Sequence, residues 1–298
     1  MNDKLRKLIR ALLVLIGIGI LVYPSLSQYL HQKNTSRVIA SYNDDVKKIE
    51  QSKKDAIIEE AQAYNKMLAS PEGKKSGFKD SQGNTITSDS YEKMLNISGN
   101  GMIGYISIPK LNETNCIYHG TEESVLQVGV GHYKNTSLPV GGESAHAVIM
   151  GHRGLPSADL FTDLDQLEIG DKFYIKILDR TLCYTVDSIN TVLPDKMEEL
   201  SIEEGRDYVT LVTCTPYGVN SHRLLVRGVR TPYDESKDIP VYQATDIQSF
   251  WTKLPAQYRH MLIGAGVIVV FLVFWTLIRF IIAKRNKKKR KEVSPDEK

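Results

Sequence analysis

Cys214 ends the run Thr210-Leu211-Val212-Thr213-Cys214, and Thr215-Pro216 follow it directly. The β-branched and apolar residues of this run predict a strand, so Cys214 falls at a strand end before a turn, where a thiol can be reached. Arg223 stands nine positions on (223 − 214), after the turn-forming stretch 216–220 and at the start of the next strand candidate. If the two strands pair as an antiparallel hairpin, Arg223 folds back beside Cys214, with opposed Cβ atoms about 5 Å apart. A guanidinium there can stabilise negative charge on sulfur and on a carbonyl oxygen under attack. The pair therefore points to a thiol nucleophile acting in acyl transfer.

Such a nucleophile needs an acid/base partner, and histidine suits it near neutral pH. The histidines are His31, His119, His132, His146, His152, His222 and His260. His31 and His260 flank apolar segments and are expected in water. His146 opens the apolar strand Ala147-Val148-Ile149-Met150. His152 follows the end of that strand, in Gly151-His152-Arg153-Gly154, at a rim and between two glycines that permit close approach of another backbone. His222 adjoins Arg223, but strand neighbours point to opposite faces, so both cannot face Cys214. Spacing puts His152 first and leaves His119, His132 and His222 open, with a purely structural role as the alternative for each.

The elements that must position these residues are sketched by composition and charge. The chain has 298 residues and 33.6 kDa, with 42% hydrophobic and 24% charged residues, which suits one large domain or two small ones. A disordered polymer, a collagen and a disulfide-stapled miniprotein are excluded. The mean hydropathy of −0.25 excludes a polytopic membrane protein, and a net charge of +3 is too small to argue for nucleic acid. At the N-terminus Lys4, Arg6, Lys7 and Arg10 precede an uncharged run, 11–30, whose apolar heart, 11–23, stops at Pro24. Thirteen residues cover about 20 Å, short for a membrane core of roughly 30 Å. A basic flank before a short apolar stretch is the pattern of a secretory signal or signal anchor, and without a small-x-small cleavage site it reads as a retained anchor.

A second uncharged run, 261–278, spans about 27 Å as a helix, with Trp251 and Tyr258 before it. The basic cluster 284–291 behind it reads as a cytoplasmic stop-transfer flank, not a nucleic-acid surface. Both termini are then expected in the cytoplasm and 24–260 outside. Cys116, Cys183 and Cys214 are an odd number of cysteines for an exported chain, so at least one is unpaired. Cys116 and Cys183 lie within apolar strands, as small buried hydrophobes do.

Between the spans, Ile39, Tyr42, Val46, Ile49, Ala56, Ile57, Ala61, Tyr64 and Leu68 recur at helical spacing, predicting one amphipathic helix or a pair packed on the domain. Ser70-Pro71-Glu72-Gly73 ends it, and a polar stretch follows to about Asp89, either a passive linker or a mobile lid. From Gly104 the period becomes two. Strand candidates are 104–108, 114–118, 145–151, 172–178, 182–192, 208–213 and 223–229, and 157–167 is a candidate short helix. Short strands with few helices between them argue for a closed or nearly closed β-barrel. The expected organisation is 1–33 signal or anchor, 34–70 amphipathic helical region, 71–98 lid-like loop, 99–235 catalytic barrel, 236–258 linker, 259–283 membrane helix and 284–298 basic tail.

The segment Thr210-Leu-Val-Thr-Cys214-Thr-Pro-Tyr-Gly-Val-Asn-Ser-His-Arg223 resembles the active-site signature of sortases, the Gram-positive cysteine transpeptidases, and Gly151-His152-Arg153-Gly154-Leu155-Pro156 resembles the segment that carries their histidine. Gly104-Tyr-Ile-Ser-Ile-Pro109, Leu138-Pro-Val-Gly-Gly142 and Leu160-Phe-Thr-Asp-Leu164 resemble the class C, pilin-polymerising branch, as does a membrane span at each end. The resemblance covers about residues 95–233. It implies a mainly β fold, an eight-stranded barrel preceded by helices and flanked by two transmembrane helices.

It also implies roles: Cys214 as nucleophile, His152 as general acid/base, Arg223 as positioning and oxyanion-stabilising group. The implied reaction cleaves a Leu-Pro-x-Thr-Gly-like signal between Thr and Gly and passes the thioacyl group to a lysine amine of a pilin subunit, with no cofactor and no metal. The implied partners are pilins or surface proteins bearing that signal, with no nucleic acid, at the outer face of a Gram-positive membrane. Class C lids carry an Asp-Pro-aromatic tripeptide. Here Phe78-Lys79-Asp80 and Asp89-Ser90-Tyr91 depart from it, and some of 71–94 is still expected to cover the groove.

Three other readings compete. One is a housekeeping sortase that anchors surface proteins to peptidoglycan. Another is a cell-wall L,D-transpeptidase, whose His and Cys sit close together in a Ser-His-Gly-x-x-Cys-like string, against a separation of 62 (214 − 152) here. The last is a non-enzymatic pilus scaffold or adhesin with an incidental thiol.

Overall fold

The computed structural model describes residues 3–70, 88–196 and 200–234, with four isolated helical positions, Gly264, Gly266, Trp275 and Arg279, beyond them. The second expected span, 261–278, the basic tail and the stretch 71–87 of the lid-like loop lie outside the described residues. The chain divides into two compact units, Met1–Leu26 with Asp246–Lys298, and Ser27–Thr245.

In the first unit, the start of helix α1 (Asp3–Lys48) presents apolar side chains to its surroundings, Leu12, Leu13, Leu15 and Ile20 among them. From Ile9 the helix is long and apolar enough to cross a membrane. Pro24 sits inside α1, where the sequence pattern suggested a stop.

In the second unit, α1 gives way at Ile49-Glu50 to α2 (Gln51–Ala69), the pair form of the helical region. The buried stripe of α1 is Ile39, Tyr42 and Val46; that of α2 is Ile58, Ala61, Tyr64, Asn65 and Leu68. Ile58 takes the place expected of Ile57, and Ala56 is exposed. The chain restarts at Glu50 with extended dihedrals, so the phase of α1 does not carry into α2. His31, expected in water, is half-buried on α1 beside Thr35.

The barrel comprises β1 (Met102–Ile108), β2 (Glu113–His119), β3 (Val130–His132), β4 (Ala145–Met150), β5 (Lys172–Ile177), β6 (Arg180–Val192), β7 (Asp207–Thr215) and β8 (His222–Thr231). It closes in the order β1-β2-β3-β4-β7-β8-β6-β5. Neighbours are antiparallel except β2 with β3 and β4 with β7, which run parallel. Seven of the eight strands fall on the strand candidates of the sequence; β3, only Val-Gly-His, is not among them. The expected short helix at 157–167 is replaced by turns and a single 3-10 turn, Leu164–Gln166. Leu160 has φ +45°, and a left-handed residue interrupts an α-helical ladder.

Side chains alternate across the barrel wall. Ala147, Ile149, Val209, Leu211, Leu224 and Val226 belong to the main core, together with Phe161 and Phe173. Val148, Val212 and Leu225, at the intervening positions, form a separate cluster with Met150, Val192 and Leu200. The wall between β4, β7 and β8 is therefore apolar on both faces, as strands buried on two sides are.

Buried polar links tie the helices to the barrel. The Tyr42 hydroxyl donates to Ile103 O (3.0 Å) and accepts from Leu178 N (2.9 Å). Asn65 Nδ2 donates to Leu138 O (2.9 Å) and its Oδ1 accepts from Leu138 N (2.7 Å). Tyr42→Phe keeps the ring but leaves a buried carbonyl and a buried N–H without their partner. Since each orphaned group costs about 1–3 kcal/mol, this substitution is expected to lower stability by at least that amount, read as the shift in urea unfolding midpoint.

Candidate active site

Antiparallel pairing of β7 with β8 sets Cys214 directly opposite Arg223, with Thr215 opposite His222. Cys214 is half-buried, whereas Cys116 and Cys183 are buried, and all three are free thiols. Burial pushes the Cys116 thiol up to about 12, so it stays protonated and inert. Alternation puts Cys214 on the face of Val212, and Arg223 on that of Leu225, the outer apolar cluster rather than the core.

His152 reaches the same rim from the other side. Parallel pairing of β4 with β7 runs to Met150 opposite Val212. Past the last rung, Gly151 N donates to Val212 O (3.0 Å), and the buried Thr213 hydroxyl donates to Gly151 O (2.8 Å). His152 is thus two residues beyond Met150, as Cys214 is two beyond Val212, on strands about 4.8 Å apart. Its carbonyl accepts from Phe161 N (3.2 Å), and its Nε2 lies 3.3 Å from the Glu123 carboxylate at the start of helix α4 (Glu123–Leu126).

The glycines flanking His152 admit aromatic rings rather than a second backbone. A Cβ on Gly151 would stand 2.7 Å from the Phe161 ring, and one on Gly154, whose φ is +76°, 2.8 Å from that of Tyr217. Arg223 Nη1 donates to the carbonyls of Asn220 (3.2 Å) and His222 (3.1 Å), which ties its guanidinium to the β7–β8 turn.

The other histidines of the barrel have structural partners. His132 is fully buried; its Nε2–H donates to Ser137 O (2.8 Å), and its Nδ1 lies 2.6 Å from the hydroxyl of Tyr91, on helix α3 (Ser88–Lys93). His146 donates from Nδ1 to Ser201 O (2.8 Å), with Nε2 2.7 Å from Thr210 Oγ1. His119 donates from Nδ1 to Gly101 O (3.0 Å) and packs edge-on to Tyr91. His222 is half-buried, with its Nδ1 2.9 Å from Ser221 Oγ. Of the residues picked from sequence, the structure gathers Cys214, Arg223 and His152 at one rim, leaves His222 half-buried on the neighbouring rung opposite Thr215, and buries His119 and His132.

A sortase-domain family model matches residues 106–231, the stretch from β1 to β8 that holds all three rim residues. The crystal structure of sortase C1 from Streptococcus agalactiae is 49% identical, with TM-score 0.60, over 66% of this chain and 100% of that one. The chain belongs to the sortase family. Sortase C of Streptococcus pneumoniae is 42% identical, with TM-score 0.58, over 66% of this chain and 97% of that one. Among curated relatives, sortase A of Bacillus anthracis is 34% identical over 43% of this chain, which spans 59% of that relative's length.

Glu123, Arg153, Asp165 and Thr215 complete the surroundings of the sortase rim, and sequence reasoning did not single them out. Glu123 is 29 residues from His152 and carries no local signal. Arg153 stands next to His152 in the quoted motif, which was the only pointer to it.

Burial drives the pKa of His132 down to about 4, from an ordinary 6.5. Burial also lowers His119 and His146. A depressed imidazole pKa means the unfolded chain binds the proton first, so stability falls as pH drops from about 6.5 toward 4. His132 alone contributes a loss of about 3 kcal/mol over that window. Urea unfolding between pH 7 and 4 is expected to show this slope, and His132→Gln is expected to flatten it.

Proposed function

We propose that this chain is a membrane-anchored cysteine transpeptidase of the cell surface that joins pilin subunits. The carrying observation is the meeting of Cys214, Arg223 and His152 at one rim, at the end of the outer apolar strip Val148, Val212 and Leu225.

In this reading Cys214 Sγ attacks the Thr carbonyl carbon, and the guanidinium of Arg223 stabilises the oxyanion. The Thr–Gly C–N bond breaks as His152 gives a proton to the leaving Gly amine, and a thioester remains. A lysine amine of the next subunit then attacks; His152 accepts its proton, the C–S bond breaks, and an isopeptide bond forms. Atoms and charges balance without an added cofactor, because the thioester conserves the acyl bond's reactivity. Support for the pilin acceptor comes from the likeness to sortase C1 and to a sortase C whose structure is described as giving insight into pilin substrate specificity. The expected layout is an extracytoplasmic barrel with both termini in the cytoplasm.

Cells with Cys214→Ala are expected to lose SDS-resistant ladders of surface protein that cells with native Cys214 make. Ladders in both would end the polymerase reading. Loss of monomer anchoring with ladders intact would favour attachment to peptidoglycan, and no covalent change of either kind would favour a scaffold.

A further inference from the structure

Arg153 directly follows His152, and its side chain is only 8% exposed. A buried guanidinium persists where its fork is paired. Nη1 donates to Thr215 Oγ1 (3.0 Å), and Nη2 donates to the Asp165 carboxylate. The group lies over the exposed Tyr217 ring, 6.0 Å from its centroid. Thr215 is the residue after Cys214. One planar side chain therefore joins the neighbour of the imidazole to the neighbour of the thiol.

Among the described residues few other hydrogen bonds cross between these two segments. The β4–β7 ladder ends at Met150, and only the Gly151 and Thr213 hydrogen bonds extend it. His152 touches Glu123, which is exposed, and an exposed ion pair holds a side chain weakly. Arg223 bonds carbonyls of its own turn and does not cross to the His152 segment.

We propose that Arg153 is a positioning residue, with Thr215 and Asp165 as its partners, that sets the approach of the His152 ring to Cys214. The proposal rests on the transpeptidase reading. Lysine does not reproduce it, because a single ammonium nitrogen on a shorter stem lacks the planar fork whose separate nitrogens reach Thr215 and Asp165.

The test uses the full chain in detergent, a Leu-Pro-x-Thr-Gly peptide with an amine acceptor, and iodoacetamide alkylation of Cys214 across pH. Arg153→Lys and Thr215→Val are each made alone and together with His152→Ala. Because a misplacement of about 1 Å costs on the order of 100-fold, Arg153→Lys is expected to lower kcat about 10- to 100-fold with KM within about twofold. Its alkylation–pH profile is expected to coincide with that of His152→Ala. Adding it to His152→Ala should change alkylation less than about twofold, since a residue acting through another is silent once that other is gone.

Unchanged kcat in both variants, or equal losses of alkylation with and without His152, would overturn the proposal. Thr215→Val removes one hydrogen bond from the fork and decides the matter if Arg153→Lys does not fold. Failure of the native chain to turn over the peptide would sink the transpeptidase reading, while the alkylation comparison would still decide whether Arg153 acts through His152.

Discussion

The register of β7 is the constraint on which the rest depends. It pairs in parallel with β4 on one side and antiparallel with β8 on the other. Those two pairings alone bring residues from two distant stretches of chain, the β4 end and the β7–β8 hairpin, to one rim. The side-chain period of a strand is two, so a slip of one residue would turn Cys214 inward and set Thr213 outside. Val209 and Leu211, locked in the core from the inner face, oppose such a slip, and the buried Thr213 hydroxyl bonded to Gly151 fixes the last step before the rim.

That register survives because the barrel is held from outside as well as from within. The helices α1 and α2 do not merely cover apolar wall. Tyr42 satisfies one backbone group on β1 and another just past β5, and Asn65 pairs with both backbone groups of Leu138. Each is a polar group placed where water is excluded, so each fixes a position as well as adding stability. The ion pairs Lys54–Asp179 and Asp55–Arg180 lie further out and contribute less. The buried histidines work in the same way. His132 and His146 use both ring nitrogens to pin loop carbonyls and hydroxyls.

Local pattern made most strands legible, and it made the Cys214–Arg223 juxtaposition legible too, because a hairpin turns sequence distance into spatial distance by counting. The parallel pairing of β4 with β7 has no such count. Nothing local says that these two strands are neighbours, so residues alone left several histidines open, and only the motif resemblance narrowed them. His119, His132 and His146 share the surroundings of ordinary strand residues in the sequence; what separates them from His152 is burial, which is a property of the closed barrel. Two local readings failed for local reasons. The restart at Glu50 shifted the buried stripe to Ile58, and the left-handed Leu160 broke a segment whose apolar spacing looked helical.

The ring of strands is closed, and where β3 is too short to cover β4 the following segment finishes the work: Tyr133 N donates to Val148 O, Ser137 N donates to His146 O, and the Thr136 hydroxyl accepts from Val148 N. Among the described residues, no row of bare amides and carbonyls is left on offer along β4. An incoming extended polypeptide therefore meets no open edge on β4, and strand addition, the most generic and sequence-blind mode of peptide capture, is denied to it there. Discrimination among visiting chains then falls to side-chain shape and to the loops above the rim, which is where the reacting groups also stand.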